Sequence, residues 1–278
     1  MNKKFLIISI FLIGIGLLLV TASITRAQSS NEFAVPLSDP SKRAKIKAHL
    51  NYGSITVKGT ARKDVLVRYE SETEEDEERD RDDDSRAGLK RIGGGGMDLE
   101  VTESSNEVKI HSNSWHHRTN LEIEIPSGSD LQLHTYNGGD LIVTNVQGEV
   151  ALSNYNGEIT ALNISGSVVA STYNGEIKVT LDKVTPDTPM SFSTFNGDID
   201  LTFPASLKAT LKMKTEQGEL LTGFDNVNIT SSGPVKKTDS KAGVYKVIVD
   251  DWKTAEINGG GPEITMKNYN GDILVRKK

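Results

Sequence analysis

Four acidic side chains recur at one place in a repeated stretch of the chain and are the first candidates for chemistry. Each follows an Asn-Gly pair and precedes an isoleucine: Glu158, Glu176, Asp198 and Asp272. A row of carboxylates could bind divalent cations or sugar hydroxyls, although solvated turns present the same residues. Like charges one strand apart also repel each other. Glu158, Glu176 and Asp198 are therefore candidate binding residues.

Tryptophan and histidine side chains form the second group of candidates. Trp115 and Trp252 are the aromatic residues best suited to stack on a sugar ring. Three histidines lie close to the first of them in sequence: His111, His116 and His117. Adjacent His116 and His117 would point to opposite faces of a strand, so they would be poor ligands for one ion. We therefore predict no metal site.

No residue cluster in the sequence identifies a reaction. Glycoside cleavage needs paired carboxylates at a defined separation. The charged residues that break the repeat are not grouped in the sequence: Asp182, Lys183, Asp187, Asp250 and Asp251. The run Gly93–Gly96 lacks the Lys-Ser/Thr that completes a phosphate-binding loop. We predict a protein without catalytic residues, enzymatic activity or a cofactor; the alternative is a polysaccharide-acting enzyme of the β-helix type.

Charge is unevenly distributed along the 278 residues, whose net charge is −6. The fifteen residues from Glu70 to Asp84 carry eleven acids and two arginines, which sum to −9, so the remainder sums to +3. So many like charges without apolar residues cannot bury a core. The segment 70–96 is therefore predicted to be a disordered acidic insert, and the rest of the chain lacks the basic footprint of a nucleic-acid-binding protein.

The elements that would position these candidates are predicted by a repeat of 18 to 22 residues. Each copy contains an aromatic residue, an Asn-Gly pair, an acid and a branched aliphatic. Apolar residues alternate before and after the pair, which is the period of a β-strand, and Asn-Gly supplies the positive backbone angles of a tight turn. A degenerate copy contains Gln217 and Gly218, and an outlying copy, IKAHLNYGSITV, begins at Ile46.

Two all-β architectures fit this repeat: a meander of hairpins, or a solenoid whose coils stack about 4.8 Å apart. Only the solenoid explains why the same residue returns at the same corner, because equivalent residues would then lie above one another. We predict a parallel, β-helix-like solenoid with two short strands per coil of about 18–22 residues. The residues predicted to form the corner turns and stacks are Tyr136, Asn137, Tyr155, Asn156, Tyr173, Asn174, Phe195, Asn196, Tyr269 and Asn270.

The N-terminal residues have the pattern of an export signal. Lys3 and Lys4 precede the apolar run Phe5–Val20, and small residues suited to cleavage allow it after Ala22 or after Ala27. The run is shorter than the roughly 20 residues of a membrane-spanning helix, yet an uncleaved anchor stays open. We predict a signal peptide or N-terminal anchor over 1–27, a linker over 28–45 and an adhesin-like solenoid domain over 46–278.

Several segments resemble one bacterial domain family of unknown function, DUF4097. They are LEIEIPSGSDLQLHTYNGGDLIV, the following GEVALSNYNGEI and the C-terminal EITMKNYNGDILVRKK. Members of this family are exported β-strand-repeat proteins labelled as candidate adhesins. The resemblance covers roughly residues 46–278 and implies a β-solenoid exposed at the cell envelope, with no known catalytic residues to carry over.

We therefore expect a non-enzymatic, exported scaffold in the periplasm, at the cell surface or outside the cell. Its expected partners are glycans or envelope proteins and not nucleic acid. Contact with a membrane is expected only through a retained N-terminal segment. With no cysteine in the chain, the exported domain is expected to depend on hydrogen bonds and apolar burial.

Overall fold

A computed structural model describes residues 31–73, 99–231, 235–241 and 244–278 of the chain. These residues form strands and connecting turns, so the all-β prediction is confirmed. None of them belongs to a helix that is long and apolar enough to cross a membrane. The predicted signal peptide or anchor and most of the acidic insert 70–96 lie outside the described residues.

The strands are numbered in chain order. They are β1 (Glu32–Pro36), β2 (Lys45–Tyr52), β3 (Ile55–Thr60), β4 (Asp64–Thr73), β5 (Glu100–Ser104), β6 (Glu107–Ser112), β7 (His117–Pro126), β8 (Asp130–Asn137), β9 (Leu141–Thr144), β10 (Gln147–Asn154), β11 (Ile159–Ser171), β12 (Ile177–Val184), β13 (Met190–Ser193), β14 (Ile199–Phe203), β15 (Ala209–Lys214), β16 (Leu220–Thr222), β17 (Val227–Ser231), β18 (Val235–Lys241), β19 (Val244–Asp250), β20 (Lys253–Ile257), β21 (Glu263–Lys267) and β22 (Ile273–Lys277).

Twenty of these strands belong to one sheet, whose pairings separate into two columns. The first column runs β5, β6, β2, β8, β10, the second half of β11, β13, β21, β15, β20 and β17. The second column runs β1, β4, β7, β3, β9, the first half of β11, β12, β14, β22 and β16. We call a first-column strand, its corner and the following second-column strand a coil.

Neighbouring coils of the central part pair in parallel and in register. Val150 lies opposite Leu131 on one side and Val168 on the other, so equivalent residues are one repeat apart in sequence. The two-residue alternation of the repeat sends every second side chain into the interior. The fold is solenoid-like in this part, with two short strands per coil as the repeat predicts.

The spatial order of the coils differs from their order in the sequence. The coil β2–β3 lies between β6–β7 and β8–β9, and the last coil, β21–β22, lies between β13–β14 and β15–β16. The sequence predicts that consecutive repeats stack directly on one another. Near each end of the sheet this prediction is wrong, because a coil from elsewhere in the sequence lies between two consecutive ones. The four inserted strands, β2, β3, β21 and β22, are each paired along both edges. None of them is therefore exposed for pairing with other chains.

The sheet is mixed, which corrects the prediction of a purely parallel one. Strands β1, β4 and β5 close one end with antiparallel pairs. At the other end, β20 pairs antiparallel with β15 on one side and with β17 on the other. A further antiparallel pair, β18–β19, forms a separate two-stranded sheet. Its two strands lie between β17 and β20 in the sequence. Short antiparallel strands at the ends limit the exposed sheet edge.

One apolar core runs through the interior between the two columns. Ile159, Ile177, Ile199 and Ile273 lie opposite one another on successive second-column strands and are fully buried. Burial of each such side chain stabilises the fold by about 1.5–3 kcal/mol. The isoleucine that follows the acid in each of these repeats is therefore part of the core.

The segment interpreted as a linker, 28–45, contributes to the sheet. Its residues 32–36 form β1, which pairs with β4, and Phe33 and Val35 pack against the core. Every second residue of EFAVP is apolar, which is the pattern of a strand with one covered face. The short length of this strand concealed it in the sequence.

Candidate functional site

The Asn-Gly corners of successive coils form a ladder of side-chain amides. Asn174 donates from Nδ2 to Asn156 Oδ1 at 2.8 Å, and Asn196 donates to Asn174 at 2.7 Å. The ladder extends from Asn270 to Asn196 at 2.7 Å and from Asn156 to Asn137 at 3.4 Å. Each interior amide both donates and accepts. The structure thus brings together the five asparagines that the repeat places at one corner.

Glycine follows each asparagine because the next coil approaches backbone to backbone. A Cβ atom at Gly175 would lie 2.1 Å from the carbonyl oxygen of Gly157, and one at Gly197 would lie 2.3 Å from that of Gly175. The φ angles of Gly175 and Gly197 are 156° and 138°, a region that other residues rarely adopt. The corner therefore tolerates no side chain at this position.

A buried polar residue precedes each corner aromatic and is not among the residues predicted to form the corner. Thr172 donates from Oγ1 to the carbonyl oxygen of Gly157 at 3.0 Å, and Thr194 donates to Gly175 at 3.0 Å. Asn154 makes the same bond to Gly139 at 3.0 Å. These bonds satisfy buried donors and hold adjacent coils together. The signal in the sequence was the constant Thr or Asn before the aromatic.

The corner aromatics stack in a continuous file that we call the aromatic ladder: Tyr136, Tyr155, Tyr173, Phe195 and Tyr269. Successive ring centroids lie 4.7, 5.1, 4.9 and 4.8 Å apart, with interplanar angles of 7° or less. Each ring is 38–41% exposed. Because neighbouring rings cover each other's faces, the ladder presents ring edges to solvent and not open faces.

Trp115 covers one end of the aromatic ladder. Its ring lies edge-on to Tyr136 with centroids 5.3 Å apart, and the side chain is 55% exposed. Asn51 replaces the aromatic residue in the intervening coil, opposite Tyr136, and its Nδ2 donates to the carbonyl oxygen of Asn113 at 2.9 Å. The loop that carries Trp115 is thereby fixed beside the ladder. Trp115, the candidate sugar platform, thus extends the aromatic ladder at one end.

A continuous row of polar residues runs parallel to the aromatic ladder, two residues earlier on the same strands. We call it the polar row. It crosses nine first-column strands in register and consists of Glu100, His111, His49, His134, Ser153, Ser171, Ser193, Lys267 and Lys214. At about 4.8 Å per strand the row extends for about 38 Å. The central members, Ser153, Ser171 and Ser193, have small side chains, so the surface there does not project and is accessible.

The next row on the same outer face is also low. It contains Ala151, Val169, Ser191 and Thr265 at successive positions. Val169 is 48% exposed, which is unusual for a residue in the middle of a sheet. The aromatic ladder, the polar row and this third row together form a flat surface, which we call the outer face of the first column.

The acidic residues Glu158, Glu176 and Asp198 lie one above another after the corner, at the start of the second column. Burial raises the pKa of Glu176; Lys178 opposes this shift, and the carboxylates of Glu158 and Asp198 add to it. The aspartates of this row also have a structural role, since Asp198 Oδ1 accepts a hydrogen bond from the backbone N–H of Asp272 at 2.8 Å. This acidic row lies at the start of the second column, whereas the polar row lies on the first-column strands.

Trp252 lies apart from the aromatic ladder, directly before β20. The ammonium group of Lys212 lies over its ring, 5.2 Å from the centroid, and the side chain is half-buried. A cation–π contact of this kind occupies one ring face. Trp252 and Trp115, the two sugar platforms suggested by the sequence, are therefore not brought together in one site.

Three histidines lie side by side on the polar row. His49 is opposite His111 on one side and His134 on the other, and the rings of His49 and His134 stack with centroids 4.7 Å apart. Burial, and secondarily the charge of His49, lowers the pKa of His134. His49 is not among the residues predicted from the sequence, although it precedes Gly53 by the same four residues that separate His134 from Gly138.

Three of the residues that break the repeat lie around one surface cleft of about 600 Å³: Asp182, Lys183 and Asp187. Its walls are the loops after β12 and β14 and the turn at Gly260–Pro262. The carboxylate of Asp182 contacts the ammonium group of Lys278 at 2.6 Å. These three residues are neighbours in the sequence, and Asp251 lies elsewhere, paired with Lys253.

The described residues contain no group of three or more histidine, aspartate or glutamate side chains arranged to hold a metal ion. In particular, the imidazoles of His49 and His134 are nearly parallel, at 11°. Parallel rings direct their nitrogen lone pairs alongside one another, whereas a metal ion needs them to converge.

The family model for Toastrack DUF4097 matches residues 22–275 of the chain. The chain belongs to the Toastrack family. The family match extends beyond the predicted solenoid at its N-terminal end and includes the strand β1. No protein of curated function matches this Toastrack chain.

Two solved structures are similar to this Toastrack protein over most of its length. A candidate cell adhesion protein from Clostridium sporogenes has 12% sequence identity and a TM-score of 0.46, with 90% of this chain and 100% of that chain covered. A candidate adhesin from Bacteroides fragilis has 11% identity and a TM-score of 0.29, with 89% and 96% covered.

Proposed function

We propose that this Toastrack protein is a non-enzymatic binding scaffold that is exported to the cell envelope. In this proposal residues 1–27 are the export signal or anchor, and the coils form a parallel β-solenoid closed at both ends by antiparallel strands. The outer face of the first column is its adhesive surface, and a linear glycan is its ligand. Recovery of the chain in an envelope or culture fraction, with N-terminal sequencing of the recovered protein, tests the export step.

The observation that carries the binding proposal is the register of the outer face. Polar side chains, small side chains and aromatic edges each form an uninterrupted row across successive strands. A polymer of repeating units meets the same set of groups at each strand, about 4.8 Å further along. Such a surface favours an extended repetitive ligand over a compact small molecule, which needs a concave pocket.

The chemistry of the rows suits a carbohydrate. Ser153, Ser171 and Ser193 supply hydroxyl groups that both donate and accept hydrogen bonds. The edges of Tyr155 and Tyr173 flank them and offer apolar contact beside polar groups. Trp115, half exposed at the end of the aromatic ladder, is the candidate platform for a terminal sugar ring.

A glycan array with the full-length chain tests this proposal, with variants Val169→Glu and Ile142→Glu. Both residues are exposed aliphatics on outward strand faces, Val169 on the first column and Ile142 on the second. Val169→Glu places a bulky charge in the middle of the proposed surface and is expected to weaken glycan binding at least about tenfold, or about 1.4 kcal/mol. Ile142→Glu is expected to bind as the wild-type chain does.

Equal loss of binding in both variants would contradict the assignment to the outer face of the first column. Binding of no glycan by the wild-type chain would contradict the glycan-binding function itself. Thermal unfolding of each variant establishes that the fold is retained, since single surface substitutions usually change stability by less than about 0.5 kcal/mol.

A second candidate function, cleavage of a bound polysaccharide, is favoured by the cleft that contains Asp182, Lys183 and Asp187. An acid and a base in one cleft are the minimum for general acid–base catalysis. Release of reducing ends from a glycan that the array identifies, with loss of release in Asp187→Asn, would support this candidate. Absence of release by the wild-type chain would exclude it for that glycan.

A further inference from the structure

The histidine segment of the polar row is a built feature of the sheet. His111, His49 and His134 occupy consecutive strands β6, β2 and β8 at one register position. They line a shallow groove of about 270 Å³ together with Lys47 and Lys109. We call it the histidine groove. Insertion of the coil β2–β3 between later coils is what brings His49 between the other two.

The lysines of the histidine groove share a single carboxylate. Lys47 contacts Glu107 at 2.9 Å, and Lys109 contacts the same residue at 3.2 Å. The Nε2 atom of His111 lies 3.4 Å from a carboxylate oxygen of Glu100. The two lysines are therefore only partly neutralised and retain capacity for another anion.

With neutral histidines, the fixed charges around the groove cancel. Strand β5 contributes Glu100, β6 contributes Glu107 and Lys109, β2 contributes Lys45 and Lys47, β8 contributes Asp130 with its partner Arg43, and β10 contributes Glu149. These are four cations and four anions. Protonation of the three histidines changes the net charge of this part of the outer face from 0 to +3.

We propose that the histidine groove binds an anionic segment of a linear polysaccharide, and binds it more tightly as the pH falls below about 6.5. This inference rests on the proposed function, because it assigns the glycan a charge and the binding a pH dependence. The groove opens onto Ser153, the next member of the polar row. A chain anchored by its charges at the histidines can therefore continue along the serines.

Ligand binding and protonation are coupled in this groove. The rings of His49 and His134 are stacked, so two positive charges there repel each other unless an anion lies beside them. Burial already lowers the pKa of His134. A bound sulfate or carboxylate group favours the charged rings, so binding takes up protons near pH 6, and by linkage a lower pH tightens binding.

Titration calorimetry of the full-length chain with dextran sulfate tests the inference, with dextran as the uncharged control on the same backbone. At constant ionic strength we expect about tenfold tighter binding of dextran sulfate at pH 5 than at pH 7.5. Titrations in buffers of different ionisation enthalpy are expected to reveal proton uptake at pH 6. Dextran is expected to show neither effect.

The double variant His49→Gln/His134→Gln removes the stacked pair and is expected to lose both the tightening and the proton uptake. His116→Gln removes an exposed histidine outside the groove and is expected to retain both. The single variant His111→Gln leaves the stacked pair in place and is expected to lose part of the proton uptake. It serves as the second variant if the double variant fails to fold at pH 7.5.

Equal affinity for dextran sulfate at both pH values, or full proton uptake in the double variant, overturns this inference and leaves the proposed function standing. Tighter binding of single-stranded DNA or of phosphatidylglycerol vesicles than of dextran sulfate overturns the assignment to a polysaccharide. An array on which the wild-type chain binds no glycan, with no binding of dextran sulfate, overturns the proposed function and this inference together.

Discussion

A Cβ atom at Gly175 would lie 2.1 Å from the carbonyl oxygen of Gly157, one coil away. Substitution of Gly175 by alanine must therefore move a backbone or strain a φ of 156°. We expect Gly175→Ala to lower the free energy of unfolding by about 2–3 kcal/mol in urea denaturation. Gly128→Ala is the matched control, since a Cβ there meets no atom within 4 Å. Similar stability of the two variants would refute the close-contact explanation.

Asparagines inside the amide ladder are expected to contribute more to the free energy of unfolding than the asparagine at its end. Asn174 donates to Asn156 and accepts from Asn196, whereas Asn137 accepts one longer bond of 3.4 Å. Asn174→Ala is expected to reduce the free energy of unfolding by about 1–3 kcal/mol, because it leaves two partners unpaired. Asn137→Ala is expected to cost less than about 1 kcal/mol. Equal losses in urea denaturation would show that the ladder does not act as a connected row.

The buried threonine before the corner aromatic is expected to stabilise the fold through its hydroxyl group. Thr172→Val preserves the shape and removes the bond to Gly157, so about 1–2 kcal/mol of stability is expected to be lost. Thr172→Ser keeps the hydroxyl and serves as the control for that bond. If Thr172→Ser is destabilised more than Thr172→Val, packing of the methyl group and not the hydrogen bond dominates at this position.

Stability of the unliganded chain is expected to depend on His134 in acid. Because burial lowers its pKa in the folded state, the unfolded chain binds more protons below its ordinary pKa of about 6.5. Stability therefore falls as the pH decreases through and below that value. The urea midpoint of the wild-type chain is expected to fall more than that of His134→Gln between pH 7.5 and 5. Parallel curves for the two chains would show that His134 is not perturbed.

Glu176 is expected to have the opposite pH dependence. Burial raises its pKa, so the folded state disfavours the ionised carboxylate, and the stability present in acid is lost as the pH rises through that pKa. Glu176→Gln is expected to raise the urea midpoint at pH 7 and to leave it unchanged near pH 3. Glu149→Gln, on an exposed residue of β10, is the control and is expected to change neither. A lower midpoint for Glu176→Gln at pH 7 would mean that its charge stabilises the fold.

The corner residues were predictable from the sequence because they act locally and identically in every coil. Asn156 and Asn174 each bond to an equivalent amide directly above and below, so an asparagine recurs at this position in the repeats. The order of the coils was not predictable. Ile46 lies opposite Val108 on one side and Leu131 on the other, and both are buried apolar residues. The alternation of apolar and polar residues therefore cannot specify which coil is the neighbour.

The candidate surface was predictable only in part, for the same reason. Tyr155 and Tyr173 repeat, and their stacking follows from the repeat. The three histidines form a row only after the coil β2–β3 has been inserted between β6 and β8. Trp252 could not be judged from sequence, because the cation that covers it, Lys212, lies on another strand.

Insertion of the first and last coils means that the order of synthesis is not the order of neighbours. When residues 45–60 leave the ribosome, neither of the strands that will flank β2 has yet emerged. The coils β13–β14 and β15–β16 emerge together but must stay apart until residues 263–277 arrive between them. Completion of the sheet therefore requires β21 and β22, and long-range contacts of this kind slow folding. A polypeptide halted before that point lacks the strands that join its last two coils.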